Sequence, residues 1–329
     1  MAQSELVKKH RVRELLVALL PIAALAVLFG ALCLVVNIKG YRLDMYLKIV
    51  FNEGVVLAIV ATGAIFIYSL GSFDISLGAS TLFSATIGVM VYNASGSLPL
   101  MILTIFGVAI GCSLLSSVLA SVFHIPVFVT TVAMMSVLSA VAAQIITTNG
   151  GALGGIGIPA TVVAPLDNVP FKLIALAAFA LLCVFVFDFT KIGRRLKFLG
   201  SNAVCAKLSG IKVNVYAIIA FVMAGLGVGL GAFLTLVYTP SVTPTTAGSI
   251  GMNILVAIVF GGMPISGGSR SRIYAALVGG FSYILLNNIL KIVIDSGAGY
   301  GISQIVSAVF FLAVVYVTSM NYRTKLLPR

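Results

Sequence analysis

The side chains in this sequence that could do chemistry are two carboxylates and a scatter of carboxamides, and they interrupt long apolar runs. Glu53 follows the start of one such run and Asp74 precedes another. Desolvating an ionisable group there costs about 2.5–3.5 kcal/mol on insertion scales, so each is a functional candidate by default. Each also has a plainer reading. Glu53 lies five residues after Lys48 and can be solvated at an interface. Asp74 opens Asp-Ile-Ser-Leu-Gly and can cap the following helix, its carboxylate accepting a backbone N–H and opposing the helix dipole. Asn52, Asn253, Asn287, Asn288 and Gln304 sit inside apolar runs, where a polar side chain faces the bundle or a wet cavity. They either line a solute's route or bond one helix to another.

Other chemistry is missing. The chain has no G-x-x-x-x-G-K-[ST] loop to cradle a phosphate, no H-E-x-x-H, no G-x-S-x-G and no carboxylate pair on one helical turn. Cys33, Cys112, Cys183 and Cys205 are dispersed, and the two histidines, His10 and His124, lie near different runs. This pattern indicates no metal site, no disulfide framework and no catalytic residue.

The elements that must position these residues are ten apolar stretches, at about 15–37, 48–70, 75–93, 98–123, 126–148, 171–189, 213–238, 251–263, 272–294 and 301–320. A bilayer core of about 30 Å takes about 20 helical residues, and a backbone in lipid must satisfy its own hydrogen bonds. With 60% hydrophobic and 9% charged residues, the chain lacks the charge to cover a soluble surface. The expected fold is therefore all-α, a polytopic membrane protein forming one domain over 1–329. Its first stretch is a retained span, because no small-x-small cleavage site ends it.

The net charge of +12 reports topology rather than nucleic-acid binding. Ten spans with both termini in the cytoplasm put Lys8–Arg13, the cluster from Lys191 to Lys212, Arg270, Arg272 and the basic C-terminus inside. Lys39, Arg42, Lys48, Lys172 and Lys291 remain outside, as the positive-inside rule requires.

Shifting the chain by 190 residues lays Gly71-Ser-Phe-Asp-Ile-Ser-Leu-Gly78 over Gly261-Gly-Met-Pro-Ile-Ser-Gly-Gly268, which suggests two parallel repeats. Glycines with Asp74 or Pro264 and with Ser76 or Ser266 read as breaks between helices, either bordering a transport pathway or forming tight turns. The stretch 251–263 is too short to cross alone. Between about 190 and 213 runs the longest polar loop, and Gly200 to Gly210 within it predicts a short capped helix, suited to docking into a partner or lying on lipid headgroups.

Gly200-Ser-Asn-Ala203-x-x-Ala206-Lys-Leu-Ser209-Gly210 resembles the cytoplasmic motif of ribose-type permeases of bacterial ABC importers. Phe73-Asp-Ile-Ser-Leu-Gly78, Gly261-Gly-x-x-x-Ser266-Gly-Gly268 and Leu286-Asn-Asn288 are similar to three further stretches of that family, in the same order. The resemblance implies a membrane-spanning subunit in the bacterial inner membrane, importing a monosaccharide or similar small polar solute. It implies as partners two ABC ATPase subunits that bind ATP and Mg, a second permease (copy or paralogue) and an external solute-binding protein. Gly200, Asn202, Ala203, Ala206, Lys207, Leu208, Ser209 and Gly210 would form the contact with the ATPase. Asn52, Glu53, Asp74, Ser76, Asn253, Asn287, Asn288 and Gln304 are the candidates for the pathway. The competing reading is a secondary transporter that moves protons on Glu53 or Asp74.

Overall fold

A computed structural model describes residues 2–294 except 124, 151–153, 247–249 and 265, with side chains from residue 20 onward, and single positions at 305, 306, 308, 309, 312 and 316. Apart from those single positions, the tenth expected stretch lies outside the described residues, as do Gln304 within it, Ile265, His124 and the His10 side chain.

The described residues are helical almost throughout. In order come α1 (Ala2–Ile38), α2 (Leu43–Ser69), α3 (Leu77–Ser95), α4 (Leu98–Phe123), α5 (Val127–Asn149), the two-residue strand β1 (Ile156–Gly157) and the single turn α6 (Ala160–Val163). Then follow α7 (Val169–Val184), α8 (Lys191–Ser201), α9 (Ala203–Leu208), α10 (Val213–Tyr238), β2 (Ser241–Val242), α11 (Ile250–Phe260) and α12 (Tyr274–Val293). Among the described residues, eight helical stretches are long and apolar enough to cross a membrane, the first of them Leu20–Ile38. They match the first seven and the ninth expected stretches. The eighth becomes α11, whose 11 residues extend about 16 Å, roughly half a bilayer core.

Glycine and alanine decide which helices lie innermost. A Cβ on Gly63 of α2 would come within 2.9 Å of the Met223 carbonyl oxygen and 3.3 Å of the Gly227 Cα, so α2 and α10 touch backbone to backbone. On another face of α2, Gly280 of α12 sits equally close to Ala58. Small residues allow such approach, and dispersion then replaces the hydrophobic drive that lipid cannot supply. Accordingly α2 is the most enclosed span, whereas α1, α4, α5 and α7 turn large apolar faces outward, with Leu103, Val137 and Leu181 well exposed.

We name the end of the bundle where α2 begins the upper end. There β1 and β2 pair antiparallel, Ile156 opposite Val242, joining the loops after α5 and α10. Two-residue strands carry no periodicity, and the sequence gives no sign of them.

Candidate functional site

The polar residues gather at the two ends of α2. At the upper end, Asn52 and Glu53 are consecutive, so their side chains diverge by about 100° and meet different neighbours. Asn52 accepts a 2.6 Å hydrogen bond at Oδ1 from Lys172 Nζ, which also donates to Asp167 and lies over the Tyr238 ring. Asp167 in turn faces Lys48 at 3.5 Å. The position of Lys172 follows from local sequence. Asn168 caps α7, accepting from the Phe171 N–H at 2.8 Å, and Pro170 stands in the first turn, where it forfeits no hydrogen bond. Lys172 thus projects inward one turn into a span and is 3% exposed. Its hydrogen bond, opposed by partial desolvation and assisted by both lysine charges, holds the Asp167 carboxyl below the usual carboxylate range.

Glu53 accepts from Asn288 Nδ2 at 3.1 Å, and its other oxygen lies 3.8 Å from Lys291, both on α12. Asn287, one position earlier, is half-buried. Asn253 on α11 accepts from the Tyr283 hydroxyl at 2.7 Å. Asn52, Glu53, Asn253 and Asn288 therefore bond one helix to another. The sequence missed Lys172 and Asp167 as partners, although a lysine at the second position of the apolar run 171–189 was the available signal.

Asp74 lies in the extended link between α2 and α3, 1% exposed. Its Oδ1 accepts from both the Ser76 N–H at 2.8 Å and the Ser76 hydroxyl at 2.6 Å. Ser76 itself occupies the N-cap position of α3, so Asp74 fixes the cap residue instead of being it. Asp74 Oδ2 is buried with no hydrogen-bond partner among the described residues.

At the lower end, three chain segments meet. A Cβ on Gly200, at the end of α8, would overlap the Ser69 carbonyl oxygen of α2 and stand 3.0 Å from the Gly268 N–H. Gly267, at φ +64°, would bring a Cβ within 2.8 Å of the Gly71 nitrogen, and the Ser269 N–H donates to Ser201 Oγ at 3.0 Å. The two glycine-rich motifs, 190 residues apart in sequence, thus touch each other and the polar loop.

The expected capped helix is present and shorter than Gly200–Gly210, because Gly200 and Ser201 finish α8. Asn202 caps α9 by accepting from the Cys205 N–H at 3.0 Å. Gly210, at φ +77°, ends it, with Gly210 N–H donating to Lys207 and Ile211 N–H to Ala206, and Ser209 Oγ bonds the Cys205 carbonyl at 2.9 Å. Ala203, Lys207 and Leu208 face out, as does Val204, which the sequence reading did not select. Ala206 corrects the expectation. It is fully buried within the chain and cannot touch a partner directly. Val204 and Leu208, four apart and 69% and 84% exposed, form the apolar stripe instead.

Among the described residues, no group of three His, Cys, Asp or Glu side chains could hold a metal ion. The site is built to hold helix ends together and to present one short amphipathic helix.

Residues 46–319 match the family described as the permease component of branched-chain amino acid transport systems. The chain belongs to that family. This permease is similar to the ribose import permease protein RbsC of Escherichia coli K12, 25% identical over 273 residues, 79% of this chain and 81% of that protein. It is 24% identical over 279 residues to the galactofuranose transporter permease protein YtfT of the same strain, covering 83% of this chain and 79% of the relative. To the autoinducer 2 import system permease protein LsrC of Salmonella choleraesuis it is 27% identical over 280 residues, 83% and 77% of the two chains. No solved structure matches this permease. The expected kinship with ribose-type ABC permeases holds, and the chain is a multi-pass membrane permease.

Proposed function

We infer that this permease forms half of the translocation path of an ABC importer for a monosaccharide or a similar small polar solute. A second permease completes the path, two ATPase subunits bind ATP and Mg, and an external binding protein supplies solute. The observation that carries the reading is α9: a helix capped at both ends, exposing Val204 and Leu208, beside the Gly200 contact with the core. An ATPase cleft that closes on α9 would push through Gly200 on the lower end of α2. Rigid elements displaced in this way rock a bundle between two accessible states.

On this reading the upper end faces outward, both termini are cytoplasmic, ten helices span the inner membrane and the two halves are parallel repeats. The contact of the Gly71 and Gly267 turns supports the repeat arrangement, since related breaks then meet at one level. The proton-carrier alternative draws on Asp74, whose second oxygen is buried without a partner. The family match favours the importer.

Docking is tested by co-purification with a partner ABC ATPase subunit. Val204→Asp or Leu208→Asp should abolish co-purification while the permease stays monodisperse in detergent. Ala206→Asp is the wrong probe, because it would bury a charge inside the permease itself. Unchanged co-purification in both exposed-face variants would place docking elsewhere.

A further inference from the structure

A groove of about 950 Å³ separates α1 from α2 and α7. It exists because α1 leans on α12 and barely touches α2. Its walls are apolar: Ile22, Leu25 and Phe29 of α1 face Leu47 and Phe51 of α2, with Phe281 of α12 behind. Ile22 and Phe29 are each 48% exposed, so the groove opens sideways, toward the region lipid occupies around a spanning helix.

Only the upper end is polar. Lys48, Asp167 and Lys172 stand there together with Asp44, near the start of α2 and around the start of α7. Lys172 is enclosed and takes the main share of Asp167, and Asp44 is held by Arg42 at 2.8 Å. Lys48, with a side chain 64% exposed, shares Asp167 with Lys172 at a looser 3.5 Å, and with Arg42 counted the five charged groups at the mouth sum to one positive charge.

The dimensions suit one molecule. At 1.5 Å per residue, Phe29 of α1 and Phe51 of α2 lie about 13 and 12 Å below the upper ends of their helices, so the two apolar walls face each other over about one leaflet of a core of about 30 Å, and α1 alone continues to Ile22. We propose that this groove binds one anionic diacyl phospholipid, its acyl chains along α1 and its phosphate at Lys48. An apolar trench one leaflet deep beneath a cation at headgroup level is complementary to that class of amphiphile at both ends. Unlike the importer reading, this proposal needs neither ATP nor a partner, so the two stand or fall separately.

The test uses the full chain in phosphatidylcholine vesicles doped with phosphatidylglycerol that carries a photoactivatable group at its acyl terminus. Irradiation should label peptides containing residues 22–29 and 47–51. Lys48→Glu should lower the yield at least fivefold, Lys48→Arg should keep it, and Ala26→Trp should lower it by filling the trench, all in protein that remains monodisperse. Equal labelling of the outward faces of α4 and α5 overturns the proposal, as does unchanged yield in Lys48→Glu and Ala26→Trp. Equal trench labelling by photoactivatable phosphatidylcholine overturns the anionic assignment. A trench without acyl adducts, because a second copy or residues 295–329 fill it, overturns it too.

Discussion

Replacing Lys172 by methionine removes an ammonium that is 3% exposed while keeping most of its volume. Two partners lose by it. Asn52 forfeits a 2.6 Å hydrogen bond, and Asp167 forfeits the interaction that most depresses its pKa. Hydrogen bonds to charged groups contribute about 1.5–3 kcal/mol each. The Asp167 side chain is 26% exposed and retains Lys48 at 3.5 Å, so water and the second lysine recover part of the loss. The expected Lys172–Asp167 coupling is therefore about 1–2 kcal/mol. A depressed carboxylate contributes stability that is present above its unfolded pKa, about 3.9, and lost as pH falls through the folded value. Thermal unfolding in detergent of Lys172→Met, Asp167→Asn and the double variant reads this coupling directly. It should be present at pH 7 and shrink as the pH falls below the ordinary carboxylate range and Asp167 takes up its proton. Additivity at pH 7 within about 0.5 kcal/mol would refute the Lys172–Asp167 pair as a stabilising interaction at the start of α7.

Gly200→Ala drives a Cβ into backbone atoms that cannot rotate away. It should cost about 1–3 kcal/mol in unfolding measurements and reduce solute moved per ATP, with Gly107→Ala, which meets nothing within 4 Å, as the silent control. Asp74→Asn should keep near-normal uptake because the carboxamide oxygen can still accept from Ser76, whereas Asp74→Leu, which leaves both Ser76 donors unpaired, should lower stability by about 1–3 kcal/mol. Complete loss of uptake in a stably inserted Asp74→Asn variant would favour the proton-carrier reading. Single cysteines at Asn52, Asn253, Asn287, Asn288 and Gln304, in a background without the native four, report the route. Labelling by a small water-soluble thiol reagent that changes between nucleotide states marks a lining position, and uniform silence marks packing.

The spans were legible because a run of about 20 apolar residues has one solution in lipid, and the α9 caps because Asn202 and Gly210 act locally. Partners were less legible. Asn52 and Glu53 stood out as polar residues, yet the side chains that satisfy them come from α7 and α12, more than a hundred positions away. The buried face of Ala206 was hidden for a related reason. Six residues carry under two helical turns, too few for periodicity to separate an inner face from an outer one. Likewise the contact of Gly200 with Ser69 depends on how three segments converge, which no single stretch of sequence encodes.

The most direct test of the central claim is solute uptake by proteoliposomes holding the permease with a partner ABC ATPase and, outside, a solute-binding protein. Radiolabelled ribose and related monosaccharides, offered in turn, should include one that accumulates only with ATP and Mg on the ATPase side, and Leu208→Asp should abolish that accumulation. Uptake driven by a proton gradient without ATP, unaffected by Leu208→Asp, would contradict the account.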